Sequence, residues 1–123
     1  MTTQKGRYAE QIATQFLRHH GVALLYRNYR SPYGEIDIIG SELEYILFVE
    51  VRARRTAQFL RPIDTISGQK KRRILNTAMH FLMHQDRRCS LPCRFDVIEL
   101  IAPDLASQQV YWHKNAFDLS ASS

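Results

Sequence analysis

Between Lys5 and Gly21 the apolar residues Tyr8, Ile12, Ala13, Phe16 and Leu17 recur at three- and four-residue steps. That is the period of one helical face, so the segment predicts an amphipathic helix that stops at Gly21. The pattern then changes. "VALLYRNYR" (22–30), "EIDII" (35–39) and "YILFVEVRA" (45–53) are short runs rich in β-branched and aromatic residues. They predict three strands, joined by the turns "SPYG" and "GSELE". Turns this short make the three strands an antiparallel meander.

Residues 54–66, with Pro62 among them, read as a loop. "SGQKKRRILNTAMHFLMHQ" restores the helical period, with Ile74, Ala78, Phe81 and Leu82 as its buried stripe. "CRFDVIEL" is a fourth strand and "QQVYWHK" a short fifth, and the tail "DLSASS" is expected to fray. A helix joining the third and fourth strands makes that pair parallel by a right-handed crossover. The expected fold is α/β: a mixed sheet of one meander plus a parallel crossover strand, flanked by helices. No repeat or linker interrupts residues 1–123, which read as one domain.

The strands carry unexpected charge. Alternation puts Glu35 and Asp37 on one face of the second strand, with Ile36 and Ile38 on the other. In the third strand Phe48, Glu50 and Arg52 share a face opposite Leu47, Val49 and Val51. In a meander, Asp37 and Glu50 come to about 5 Å apart on neighbouring strands. Two carboxylates that close repel, and one pKa rises. A divalent cation removes the conflict: Mg²⁺ takes one or two carboxylates together with water and phosphate oxygens. The carbonyl of Val51 is a further candidate ligand. The simpler alternative is that the acids only pair with Arg52, Arg27 or Arg30.

Composition narrows the partners. The chain has 123 residues, a net charge of +5, and 45% hydrophobic and 24% charged residues. Such a charge fits either a solvated basic surface or attraction to phosphate backbones, and by itself it does not separate nucleic acid from an acidic protein or a membrane surface. Cys89 and Cys93 are too few for a disulfide framework and read as free thiols of a reducing compartment. The opening "MTTQKGRYAE" lacks the apolar core of a signal peptide, and no run reaches membrane-spanning length, so a cytoplasmic protein with no membrane partner is expected. Five glycines and no Gly-rich phosphate loop argue against a nucleotide-cradling fold, and no small-molecule substrate is expected.

Taken in order, "GRYAEQIATQFL", "YRNYR", "GEIDII", "FVEVRAR", "QKKRRI", "RFDVIEL" and "NAF" resemble the bacterial YraN family, and "GEIDII" with "FVEVRAR" resembles the core of the PD-(D/E)xK nuclease superfamily. Holliday-junction resolvases share that core. The resemblance implies a restriction-endonuclease-like fold and cleavage of phosphodiester bonds with Mg²⁺ or Mn²⁺. It carries the metal-binding acids onto Asp37 and Glu50, and an upstream acid that completes the site onto Glu10. Glu35 matches a motif position as either a support for the site or a strand-end charge. A homodimer would accord with the resolvase analogy, although no dimer seam is legible.

One position departs from the superfamily. Arg52 stands where a lysine is usual, and a guanidinium keeps its proton. Arg52 suits a phosphate clamp rather than a proton acceptor. Lys70, one turn before Ile74 and at a lysine position of the family, is the candidate to assist instead. Lys70, Lys71, Arg72 and Arg73 crowd a helix N-terminus, where cations are unfavourable unless an anion answers them. Arg54, Arg55 and Arg61 follow the acids. Lys70, Lys71, Arg73, Arg54 and Arg55 are therefore the expected nucleic-acid contacts, and such contacts carry no sequence preference. Tyr29 and Tyr33 are suited to stacking on bases, but packing is the expected role. The pair Arg94 and Asp96 reads as a structural ion pair, Phe117 of "NAF" as core, and His80 and His84 lack an evident third zinc ligand. Three functions fit: a metal-dependent, structure-selective DNA endonuclease acting through Glu10, Asp37, Glu50, Arg52 and Lys70; a nucleic-acid-binding module that does not cut; and an adaptor.

Overall fold

The computed structural model describes residues 4–55, 66–84, 91–101 and 108–117, without the side chains of Gln4 and Lys5. Most of the expected loop, Arg61, Cys89 and the terminal tail lie outside these residues.

The first helix, α1 (Gln4–His19), ends as its sequence requires. Gly21 has φ 91°, and Val22 N–H donates to Leu17 O at 3.0 Å, so a left-handed glycine ties off the last carbonyls. Its buried face is Ala9, Ala13 and Leu17, with Glu10 and Thr14 beside them. Tyr8, expected on that face, is 49% exposed. The small side chains of Ala9 and Ala13 let α1 lie close to the sheet, and a tyrosine would hold it off.

Four further strands and a helix follow β1 (Ala23–Ser31): β2 (Gly34–Glu42), β3 (Tyr45–Arg54), α2 (Gly68–His84), β4 (Cys93–Ile101) and β5 (Gln109–His113). They form one five-stranded sheet in the order β1-β2-β3-β4-β5. The β1–β2 and β2–β3 pairs are antiparallel, β3–β4 is parallel, and β4–β5 is antiparallel. This is the mixed, helix-flanked sheet of a restriction-endonuclease-like fold. β2 runs three residues further than its apolar run, because Ala23 and Leu24 supply ladder partners for Ser41 and Gly40.

The helices cover opposite faces. Under α1 lie Ile38, Leu47, Val49, Ile98 and Leu100. Under α2, through Ile74, Ala78, Phe81 and Leu82, lie Ile36, Ile39, Phe48, Phe95 and Phe117. Ile36 and Ile38 therefore do not share a face, contrary to simple alternation. β1 changes faces on the same rung: Arg27 reaches Glu10 of α1, while Tyr29 is buried with α2. The residue between them, Asn28, has φ 53°, a conformation asparagine tolerates better than other non-glycine residues. On β2 the switching residue is Asp37. The β2–β3 ladder ends at Ile38↔Val49, and Val51 N–H donates to Asp37 Oδ2 at 2.8 Å. A side chain has taken the place of a backbone carbonyl, and β2 peels away from β3 there.

The other end of the sheet is closed by Asp96, which is fully buried. Its carboxylate accepts from Arg94 Nε at 3.0 Å, Trp112 Nε1 at 2.8 Å and the Asn115 N–H at 2.9 Å. Arg94 also reaches Glu42 Oε1 at 2.9 Å. The expected Arg94–Asp96 pair is thus part of a network that pins β5 and the "NAF" turn, and Phe117 enters the core as expected.

Candidate metal and phosphate site

The break between β2 and β3 opens onto a cleft of about 410 Å³ lined by Glu35, Asp37, Glu50, Val51, Lys70, Arg73 and Ile74, with Gly34 at its edge. Each liner has a structural reason to be there. Asp37 is the residue at which β2 leaves the ladder. Glu50 follows Phe48 on the α2 face of β3. Lys70 is carried by the first turn of α2, which begins against Ser67: Ser67 Oγ accepts the Lys70 N–H at 3.1 Å, the N-cap arrangement that serine favours.

The carboxyls of Asp37 and Glu50 line the same cleft, one rung beyond the Ile38↔Val49 pair. Burial first, and then the charge of Glu50, push the Asp37 carboxyl up to about 8; the Val51 N–H opposes this and Glu10 adds to it. With its carboxyl raised to about 8, Asp37 keeps its proton near neutral pH. Lys70 Nζ forms an ion pair with Glu50 from the solvent side.

Glu10 lies on α1, 7% exposed. Its Oε1 is buried without a hydrogen-bond partner, and Arg27 Nη2 lies 3.9 Å away. A buried carboxylate oxygen left so weakly answered is unusual. Among the described residues, no three His, Cys, Asp or Glu side chains are gathered as a ligand cluster. The donor chemistry nevertheless fits a hard divalent ion: two carboxyls lining one cleft, that of Asp37 raised first by burial, and a further buried acid, Glu10, whose charge acts on Asp37. Asp37 and Glu50 would hold such an ion, with the Val51 carbonyl and Glu10 as further oxygens.

The expected cations separate into three groups. Lys70 and Arg73 face the cleft, and Arg55 is exposed at the end of β3 with Lys71 half-buried on α2. Arg52 is half-buried on β3 and is not among the cleft's liners. Arg54 turns inward to an ion pair with Glu99, its side chain 11% exposed, and His113 Nε2 lies 3.4 Å from the same carboxylate. The charge of Arg54 is answered inside the protein rather than at the cleft. Glu35 pairs with Arg30 at 3.3 Å on the rim. Sequence reasoning did not anticipate Asn28 or Ser67. An asparagine inside an apolar strand and a serine just before a basic helix start are the signals that mark them.

The profile of the Uncharacterised protein family UPF0102 matches residues 9–100, which include every residue lining the cleft. This chain belongs to UPF0102, the YraN family. A UPF0102 protein of Legionella pneumophila is 40% identical over 118 residues, covering 96% of this chain and 98% of its own. UPF0102 proteins of Pseudomonas fluorescens and Coxiella burnetii are 36% and 34% identical, over 94% and 97% of this chain and 93% and 96% of theirs. Among the described residues no helix is long and apolar enough to cross a membrane.

Proposed function

We propose that this UPF0102 protein is a Mg²⁺- or Mn²⁺-dependent nuclease that hydrolyses phosphodiester bonds of DNA. The observation that carries this reading is the pair of acids Asp37 and Glu50, with Lys70 on Glu50, in an open cleft at a break in the sheet. A fold does not need this arrangement: it costs stability and gains nothing in packing.

In the reading, Asp37 and Glu50 hold the ion, and the Val51 carbonyl and Glu10 complete its oxygen set. When bound, the ion would polarise the phosphodiester and lower the pKa of an attacking water. Asp37 would have to be deprotonated to hold the ion together with Glu50. Lys70, now paired with Glu50, would be the cation nearest a non-bridging phosphate oxygen. It is the cation best placed to do what the lysine usual at the Arg52 position does. Arg73, Lys71 and Arg55 hold neighbouring phosphates, which gives affinity without sequence preference. The α2 N-terminus adds its partial positive charge on the same side.

Cleavage of linear, flapped and branched DNA with Mn²⁺ tests the reading. Cutting that disappears with Asp37→Asn supports it. Cutting that survives would place the activity elsewhere. A second reading, a nucleic-acid-binding module that does not cut, is favoured by Arg52 in the lysine position. Salt-sensitive DNA binding without cleavage under any divalent ion would select it.

A further inference from the structure

The outer face of α2 changes character along its length. Its first turns carry Lys70, Lys71, Arg72 and Arg73. Beyond them Met79 and Met83 stand out at 47% and 72% exposure. Tyr33, at the tip of the β1–β2 turn, is 54% exposed instead of packed. Tyr33, Asn76, Met79, His80, Met83 and His84 line a hollow of about 270 Å³. The rings of His80 and His84 stack at 4.3 Å and 15°, and the Tyr29 hydroxyl fixes His80 from the core side at 2.6 Å.

Tyr33 of the hollow is followed in the chain by Gly34 of the cleft. A depression at the same turn, lined by Arg30, Ser31, Gly34 and Glu35, shares Gly34 and Glu35 with the Asp37–Glu50 cleft. Surface apolar residues standing singly need no explanation, but two methionines, a tyrosine and a stacked histidine pair around one hollow do. Among the described residues no carboxylate lines it. Cations lie at one end and flat rings with polarisable sulfur at the other, which matches a nucleotide: phosphate at the arginines, base against the rings.

We propose that the hollow between Tyr33 and α2 receives an unpaired nucleobase of the strand whose phosphate lies at Asp37 and Glu50. The inference rests on the nuclease reading and deepens it: the substrate has an unpaired nucleotide next to the scissile phosphate, as at a flap or a bulge. A base inside a continuous duplex is stacked and cannot enter.

The test compares wild type with Tyr33→Ala/Met83→Ala, two exposed side chains whose loss spares the core, using flapped DNA with 2-aminopurine as the unpaired base. The double variant should bind it about tenfold to a hundredfold more weakly, and should lose the fluorescence change that wild type gives. Fully paired duplex should bind both proteins equally. An abasic flap should weaken wild type by the same factor and the variant no further. Unchanged flap binding, or equal losses on duplex and abasic DNA, would overturn the subsite. So would a wild-type dimer that the double variant dissolves, since the hollow would then belong to a second copy. If the variant binds normally while Asp37→Asn still abolishes cutting, the subsite fails and the nuclease stands. If wild type neither binds nor cuts any DNA at low salt, both fail.

Discussion

Asp37 and Asp96 are both withdrawn into the same sheet, and their surroundings are opposite. Asp96 accepts from a guanidinium, an indole and a backbone N–H. Asp37 accepts one backbone N–H and meets another carboxyl. The first acid is fully compensated and closes the sheet. The second is left short of positive charge, and its neighbour's lysine comes from solvent rather than from the core. Satisfied buried charge marks structure, and unsatisfied buried charge at an open cleft marks a place kept for something else.

The largest effect should be on cleavage. Asp37→Asn keeps the hydrogen-bonding shape but cannot supply a second ligand charge, so activity should fall by more than about a hundredfold, as loss of a metal ligand or its support commonly does. Asp96→Ala should leave the metal site in place and unfold the sheet end. Removing one partner of a buried ion pair costs about 3–5 kcal/mol, which urea unfolding would read directly. Comparable stability of wild type and Asp96→Ala would erase the contrast.

Next in size is a stability gain with a defined pH window. A carboxyl whose folded pKa lies above its unfolded value stabilises the fold fully at low pH, and that stability is lost as pH rises through about 8. Asp37→Asn mimics the protonated acid at every pH. Its melting temperature should exceed that of wild type at pH 8–9, and the gap should shrink towards pH 5. A gap that widens on acidification would reverse the sign and refute the assignment. The smallest effect concerns Lys70. It competes for Glu50 while no ion is bound, so Lys70→Ala should bind Mn²⁺ a few-fold more tightly and yet cut about tenfold more slowly, within the range of a lost positioning charge. Weaker Mn²⁺ binding would mean that Lys70 supports the ligands instead of competing with them.

The fold was readable because hydrophobic period and turn chemistry agree in every described element. The meander, the parallel crossover and the stripe Ile74, Ala78, Phe81 and Leu82 all follow from that agreement. The site was readable as residues and only in part as geometry. The register Ile38↔Val49 leaves Asp37 opposite Glu50, as the meander implies, but the change of face at Asn28 and Asp37, where the ladder ends, is not in the pattern. A positive φ at an asparagine is not a hydrophobic signal, so no pattern of apolar positions contains it. Tyr8 and Tyr33 mislead for a related reason: an aromatic counts as apolar in a sequence pattern, and only packing shows which helical face or turn tip it occupies. Arg54 shows the same limit for charge. Its strand neighbour Glu99 lies far along the chain and comes beside it only through the β3–β4 crossover.

The central claim of the proposal is that Asp37 and Glu50 form a divalent-cation site in which protonation of Asp37 opposes binding. Titration of the metal-free protein with Mn²⁺ by calorimetry, at pH 6, 7 and 8, tests it most directly. The account predicts one bound ion, up to about one proton released per ion, and affinity that rises by up to tenfold per pH unit below about 8. Asp37→Asn should bind none. Binding that is independent of pH, or equal in wild type and Asp37→Asn, would contradict it.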